Sequence, residues 1–244
     1  AKTIHRLLEV SFDIEDRPVF KKNERNMLNC DAIIVDEVSM VDVAMPGMLP
    51  VLNEHCVEQA IKFGLGINAE ISRRSCFARK QYFYPDLPQG YQISQPADQP
   101  PVVGRGWIEI MGDDGNPKKI FIERAHMEQD AAKNKHDMHP SKSFVDFNRT
   151  SVPLIEIVSQ PDLSSAEEVV AYLERLRSLL RFAKVSECRM EQGSMRCDVN
   201  LSVRPEGSDK LGVRTEMKNM NSIEAIKRAI EYETARHIDA IENG

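Results

Sequence analysis

The chain has 244 residues, 41% of them hydrophobic and 29% charged, with 12 Gly and 13 Pro, the make-up of a globular protein rather than a fibrous or disordered one. Its formal net charge of -6 excludes a chain-wide electrostatic grip on nucleic acid while leaving room for a local basic patch. Its 5 cysteines include no CxxC pair, which argues against a zinc knuckle or a disulfide framework, and no apolar run nears the roughly 18 residues of a membrane span.

Reduced thiols and the absence of a basic segment followed by an apolar one predict a cytoplasmic location and no membrane partner. The length allows one large domain or two modest ones. The opening residues Thr3-Ile4-His5-Arg6-Leu7-Leu8 read as the interior of a longer sequence, so further N-terminal residues are expected. Asp31-Ala32-Ile33-Ile34-Val35-Asp36-Glu37 is an apolar run closed by two carboxylates, the form of a buried parallel strand. In nucleotide hydrolases such an Asp organises magnesium and such a Glu a water. A GxxxxGK[ST] loop to cradle phosphates is nowhere in the sequence, so Asp36 and Glu37 make only a weak alternative site.

Met45-Pro46-Gly47 and Leu49-Pro50 punctuate the chain, and the spacing of Val57, Ala60, Ile61 and Leu65 predicts a helix from about Asn53. Residues 72–101 combine aromatics, prolines and polar residues with neither helical nor strand period and read as an ordered, loop-rich stretch. Trp107 to Met111 and Lys119 to Glu123 read as the strands of a hairpin around Asp113-Asp114-Gly115-Asn116-Pro117. His126-Met127-Glu128-Gln129-Asp130 follows, either a surface acidic turn or a His, Glu and Asp set suited to Mg-ATP chemistry.

Ser165-Ala166-Glu167-Glu168 is a capping-box signature, and the stripe Val169, Leu173, Leu176, Leu179, Leu180 behind it predicts a helix over about 165 to 183. Met195 through Arg204 alternates apolar and polar residues, as does Val213 through Lys218 after a turn-rich Pro205 to Gly212, which predicts two antiparallel strands. One face would then gather Arg196, Asp198, Asn200, Arg214, Glu216 and Lys218. Two readings stand for that face: a solvated surface of cross-strand ion pairs, or a floor where Asp198 and Glu216 hold magnesium while Arg or Lys meets phosphate. Asn221-Ser222 opens a last helix with Ile223, Ile226, Ile230, Ile238 and Ile241 at helical spacing.

A thiol mechanism is rejected, because Cys188 and Cys197 read as structural, the latter on the apolar face of its strand. No glycine-serine-rich segment supports Ser-Lys amidase chemistry, so any glutamine hydrolysis belongs on a partner.

Four ordered blocks carry a resemblance. They are Tyr82-Phe83-Tyr84-Pro85-Asp86-Leu87-Pro88-Gln89-Gly90-Tyr91-Gln92-Ile93-Ser94-Gln95, then Val145 to Arg149 continuing into Pro153 to Asp162, then Met190 to Asn200, then Glu216 to Ser222. Together they resemble the B subunits of aspartyl/glutamyl-tRNA(Asn/Gln) amidotransferases over about residues 45-244. The resemblance implies an ATP-dependent carbon-nitrogen ligase. In it, ATP phosphorylates the side-chain carboxylate of Glu or Asp on misacylated Glu-tRNA(Gln) or Asp-tRNA(Asn). Ammonia, delivered through a tunnel from a separate amidase (the A subunit), then displaces the phosphate. The family's heterotrimer is completed by a small C subunit. The resemblance makes Glu128, Asp198 and Glu216 the catalytic and Mg2+-holding residues, with His126, Asp130, Asn148, Arg149, Arg196, Asn200 and Lys218 around ATP and substrate.

Two departures from that pattern accompany the match. The family's opening strand with a Glu-Val-His set and its cysteine-rich zinc segment are not found before Met45, and Gln129 stands where many members carry Glu. The helical and tail domains that hold tRNA in the family are also outside the matched blocks. The chain by itself, truncated at both ends relative to the family, is therefore expected to be inactive.

Residues 1-43 instead resemble a RecD-type helicase, the alpha subunit of exodeoxyribonuclease V, through Ala1 to Glu9 and the Asp31 to Asp42 segment. That raises two alternatives: an ATP-dependent DNA helicase or nuclease subunit, or an inert chimera joined near Val43 to Met45. The expected architecture is α+β, a largely antiparallel sheet with packed helices, preceded by a small αβ fragment.

Overall fold

A computed structural model describes residues 10–12, 18–20, 51–81, 83–136 and 139–243. Asp36 and Glu37, with most of residues 1–43, lie outside the described residues. In chain order the elements are β1 (Val10–Phe12), β2 (Pro18–Phe20), α1 (Glu54–Gly66), β3 (Ala78–Gln81), β4 (Tyr91–Ser94), β5 (Gly106–Met111) and β6 (Pro117–Gln129). They continue with β7 (Lys133–Lys135), β8 (Phe144–Asp146), β9 (Pro153–Ser159), α2 (Ala166–Phe182), β10 (Val199–Leu201), β11 (Thr215–Met217) and α3 (Ile223–Asn243). Helices and antiparallel strands mix, as expected of the α+β class. Two compact units form, one from Ala1–Glu58, Arg73–Val102 and His126–Glu156, the other from Gln59–Ser72, Val103–Ala125 and Ile157–Gly244. Among the described residues no helix is long and apolar enough to cross a membrane.

In the first unit β1 pairs antiparallel with β2, and β3 with β4. The β3–β4 pair falls inside the stretch whose composition predicts loops. Its two strands hide their period because β3 is exposed at all four positions while Tyr91, Gln92 and Ile93 of β4 are all buried, so neither alternates. Gly90, with φ 79, makes the turn into β4 in the left-handed region that a side chain would disfavour. The last four residues of β6 belong to this unit and meet β4 where Ser94 pairs with Glu128. Leu87, Tyr91, Ile93, Val102, Met127 and Ala132 form the apolar centre. Gln95 is buried there, and its Oε1 accepts from the N–H of Val102 at 3.2 Å and of Met127 at 3.0 Å, which offsets the loss of water. β7 and β8 pair antiparallel, and a 3-10 turn over Phe147–Arg149 follows, the N–H of Asn148 met by the Asp146 carboxylate.

In the second unit β5 and the start of β6 form the hairpin expected from the sequence, Gly106 pairing with Ile122 and Met111 with Pro117. Asp114 closes the turn by accepting from the backbone N–H and side-chain amide of Asn116, both at 3.0 Å. Ile108 and Ile110 of β5 and Ile120 and Ile122 of β6 face inward and are buried. Fully burying such a side chain stabilises by about 1.5–3 kcal/mol.

α2 spans the predicted residues almost to the end. Ser165 Oγ accepts from the Glu168 N–H at 3.0 Å, and the Glu168 carboxylate accepts from the Ser164 N–H at 2.8 Å, so the capping signature is realised one residue further out. Tyr172, Leu173, Leu176 and Leu180 form its buried face, and it packs on β5 and α3. The ribbon β10–β11 pairs antiparallel, Asn200 opposite Glu216, but each strand is only three residues long. The alternation predicts longer ones; Pro205 lacks an N–H and the 205–212 turn claims the Arg204 side chain through the Asp209 carbonyl.

Helix faces depart from expectation in two places. In α1 the buried positions include Cys56, Ala60, Phe63 and the following Ile67, while Leu65 is exposed. In α3 Ile226 and Ile230 are buried and Ile238 and Ile241 are exposed. Val213, expected on an apolar strand face, lies outside β11 and is 86% exposed.

Candidate metal centre

The strand predicted over 119–123 runs on through Gln129, which changes the surroundings of the His126 segment. Residues two apart on a strand share a face, so His126 and Glu128 point together, and β9, paired with β6, brings Glu156 to them. His126 Nε2 lies 3.3 Å from Glu156 and 3.9 Å from Glu128. Ligand atoms of the three residues all lie within 4.8 Å of one another, and among the described residues this is the group of His, Cys, Asp and Glu placed to share a cation.

The electrostatics invite positive charge. Burial pushes the Glu128 carboxyl above the ordinary range and the Glu156 charge pushes it the same way, against the opposing pull of His126, of a 3.3 Å hydrogen bond from Ser94 Oγ and of Lys80. His126 is buried, its Nδ1 has no hydrogen-bond partner among the described residues, and Nε2 is the nitrogen turned to the carboxylates. One imidazole and two carboxylates, repelling each other at close range, fit a divalent cation.

The neighbouring candidates have other occupations. Asp130 accepts from Arg149 Nε at 3.1 Å and also from its Nη2, and it exchanges backbone hydrogen bonds with Val152 and Ser151, so this pair fastens the 3-10 turn to the end of β6. Asn148 is exposed, its N–H held 3.1 Å from Asp146. Gln129 and Ser151 are fully buried, and their side-chain polar atoms, with Thr150 Oγ1, Asp86 Oδ1 and the Gln89 amide, have no hydrogen-bond partner among the described residues. Each such group costs about 1–3 kcal/mol unless a small polar molecule meets it.

In the second unit Lys218 Nζ stands 3.7 Å from Asp198 and 3.4 Å from Glu216, with all three side chains about half exposed. Asn200 pairs across from Glu216, and Arg196 and Arg214 are exposed. The ribbon face is thus a cross-strand ion network, of the kind worth little in stability when solvent screens it. Cys197 beside it is pushed up to about 11 by burial and by the Asp198 charge, which leaves it protonated and inert.

Glu156, Ser94 and Lys80 are not among the site residues expected from the sequence. Glu156 did leave a signal: it is the lone carboxylate in the apolar run Leu154-Ile155-Glu156-Ile157-Val158, and on β9 its side chain is about half exposed. Ser94 and Lys80 carry no local signal, since only the pairing of β3, β4 and β6 sets them near Glu128.

Comparison with known proteins gives one family model, the GatB/GatE catalytic domain, which matches residues 18–244. The match opens inside the segment that resembles a helicase. Among similar curated proteins is the B subunit of aspartyl/glutamyl-tRNA(Asn/Gln) amidotransferase from Paramagnetospirillum magneticum, 57% identical over 208 residues, 85% of this chain and 42% of that protein. The proteins of the same description from Rhodospirillum rubrum and Pelagibacter ubique are 53% and 54% identical over the same shares. The chain therefore spans 42% of the length of these relatives.

Proposed function

Because this chain belongs to the GatB/GatE catalytic domain family, we propose that it carries the ATP-using centre of a tRNA-dependent amidotransferase. The whole protein acts on Glu-tRNA(Gln) or Asp-tRNA(Asn) in the cytoplasm. Ammonia is supplied by an amidase, the A subunit, and the assembly is completed by a small C subunit. A side-chain carboxylate oxygen of the aminoacyl group attacks the γ-phosphorus of ATP and ADP leaves. Ammonia then adds to the acyl phosphate carbonyl, phosphate leaves, and the amide remains.

The observation that carries this reading is the cluster of His126, Glu128 and Glu156. Its donors fit Mg2+, held by His126 Nε2 and the two carboxylates; when bound, the cation neutralises charge on phosphate oxygens. Lys80, whose charge reaches Glu128, would meet the same phosphates. Asp130 and Arg149 hold the turn that precedes β9 and so position Glu156. The buried, unpartnered groups of Gln89, Gln129, Thr150 and Ser151 offer donors and acceptors to a molecule as small as ammonia. In the second unit Arg196, Asn200 and Lys218 supply polar contacts for a phosphate-bearing substrate, with Asp198 and Glu216 setting the position of Lys218.

A full-length protein carrying these residues and assembled with an amidase partner is expected to convert Glu-tRNA(Gln) to Gln-tRNA(Gln) only when ATP is present. Glu128→Gln should lower the rate by about 100-fold, the scale of losing one transition-state electrostatic contact, and Glu216→Ala, by releasing Lys218, should lower it as well. Conversion without ATP would overturn the reaction, and unchanged rates in both variants would overturn the residue assignment.

A further inference from the structure

The C-terminal end of α2 carries a concentration of positive charge. Between residues 175 and 189 five basic side chains, Arg175, Arg177, Arg181, Lys184 and Arg189, stand against one acid, Glu187, in a chain of net charge -6. Arg181, Lys184 and Arg189 converge with Ser186 and Glu187 on a surface cavity of about 400 Å³. Glu187 lies 3.0 Å from Arg189 and offsets one of the three charges, which leaves the cavity cationic. Phe182, between two of its basic residues, is 93% exposed.

Structural duty does not account for this arrangement. A helix C-terminus favours a nearby cation through its dipole, which is reason enough for Arg181 but not for three cations. The terminal carbonyls do not need these side chains either. Ala183 N–H bonds the Leu179 carbonyl at 2.9 Å, Lys184 N–H the Arg181 carbonyl at 3.1 Å and Val185 N–H the Leu180 carbonyl at 2.9 Å, which is a complete Schellman closure. In that closure Lys184 occupies the left-handed position, φ 56, that glycine fills most readily. Lys184 thus stands where glycine is easier, beside a large aromatic ring that lies in water.

We propose that this cavity is a docking site for an unpaired RNA strand, its phosphates met by Arg181, Lys184 and Arg189 and one base stacked on Phe182. Guanidinium and ammonium groups around a cavity, with an exposed ring next to Arg181 in the chain, are the elements by which proteins hold single strands without reading sequence. A free nucleotide shares the phosphate chemistry, but a ring outside the cavity suits a chain that continues past it. The proposal rests on the reading of an RNA substrate above and adds where a strand lies.

The test is fluorescence anisotropy of a labelled oligouridylate with the 244-residue chain, over a range of salt and without ATP, metal or ammonia. The double variant R181E/K184E is expected to weaken binding at least tenfold and to reduce the salt slope by about 1.4, near 0.7 for each lost phosphate contact. F182S should weaken binding about tenfold, within the range for loss of one stacked base, with the slope unchanged. K184G should weaken binding while its thermal midpoint stays equal or rises, a split that a structural lysine would not give. Absence of binding by the wild-type chain, or equal affinity and slope in R181E/K184E and F182S, overturns the proposal. So does displacement of the oligonucleotide by ATP at equal phosphate concentration with F182S unaffected, which would mark a small-phosphate site. Because the assay involves no amidation, its failure leaves the proposed reaction standing, and a failed amidation assay with intact RNA binding leaves this site standing.

Discussion

Lys118 and Glu168 join the β5–β6 hairpin to α2, and replacing Lys118 by Met tests how the second unit is held together. Glu168 is 4% exposed and takes Lys118 Nζ at 2.7 and 2.8 Å as well as the Ser164 N–H at 2.8 Å. Burial pushes its carboxyl up, yet the Lys118 and Ser164 hydrogen bonds and the Lys118 charge together hold it below the ordinary range. Lys118→Met keeps the aliphatic stem and leaves the carboxylate buried with its partner gone, a change that costs about 3–5 kcal/mol in a fully buried pair. The Lys118 side chain is 31% exposed, so screening brings the expectation to about 2–3 kcal/mol.

Urea titration read through the fluorescence of Trp107, the single tryptophan and a residue of β5, reports this unit. A carboxyl with a lowered folded pKa contributes stability above its unfolded value, about 4.3, and loses it as pH falls through the folded pKa. The gap between wild type and Lys118→Met should therefore be full at pH 7 and close on acidification below about pH 4. A loss under about 0.5 kcal/mol at pH 7, or a gap that persists in acid, would refute the reasoning.

Three further outcomes follow from the same geometry. A Cβ on Gly106 would sit 2.7 Å from the Ile67 carbonyl oxygen, so Gly106→Ala should destabilise by about 1–3 kcal/mol in the Trp107 titration. Ser165→Ala removes the oxygen that holds the Glu168 N–H, and thermal melting should show a loss of about 1 kcal/mol. In cation-free buffer Glu128→Gln should be as stable as wild type or more so, because burial and Glu156 already disfavour the ionised form; a clear loss of melting temperature would contradict that account.

The elements legible in the sequence were those with local signals. The capping residues Ser165 and Glu168, the Asp114-Gly115-Asn116 turn and the 3.6-residue stripe of α2 each specify their structure within a few positions, and all appear where expected. The β3–β4 pair was illegible because one strand is wholly exposed and the other buried on both faces, so no alternation is written in it. The second half of α3 shows the reverse: Ile238 and Ile241 keep the helical period while standing exposed, and periodicity alone says nothing of what covers a face. At the candidate centre the pair His126 and Glu128 was readable once β6 is a strand, since spacing of two places both on one face. Their companion Glu156 comes 28 residues later through strand pairing, which no local pattern encodes.

Calorimetric titration of the chain with Mg2+, and with Mn2+ as a tighter-binding substitute, tests the assignment of His126, Glu128 and Glu156 most directly. One ion per chain is predicted, with Glu128→Gln and Glu156→Gln each weakening its binding at least tenfold while the fold remains intact by circular dichroism. Binding of unchanged affinity in both variants, or none by the wild-type chain at millimolar cation, would contradict the account.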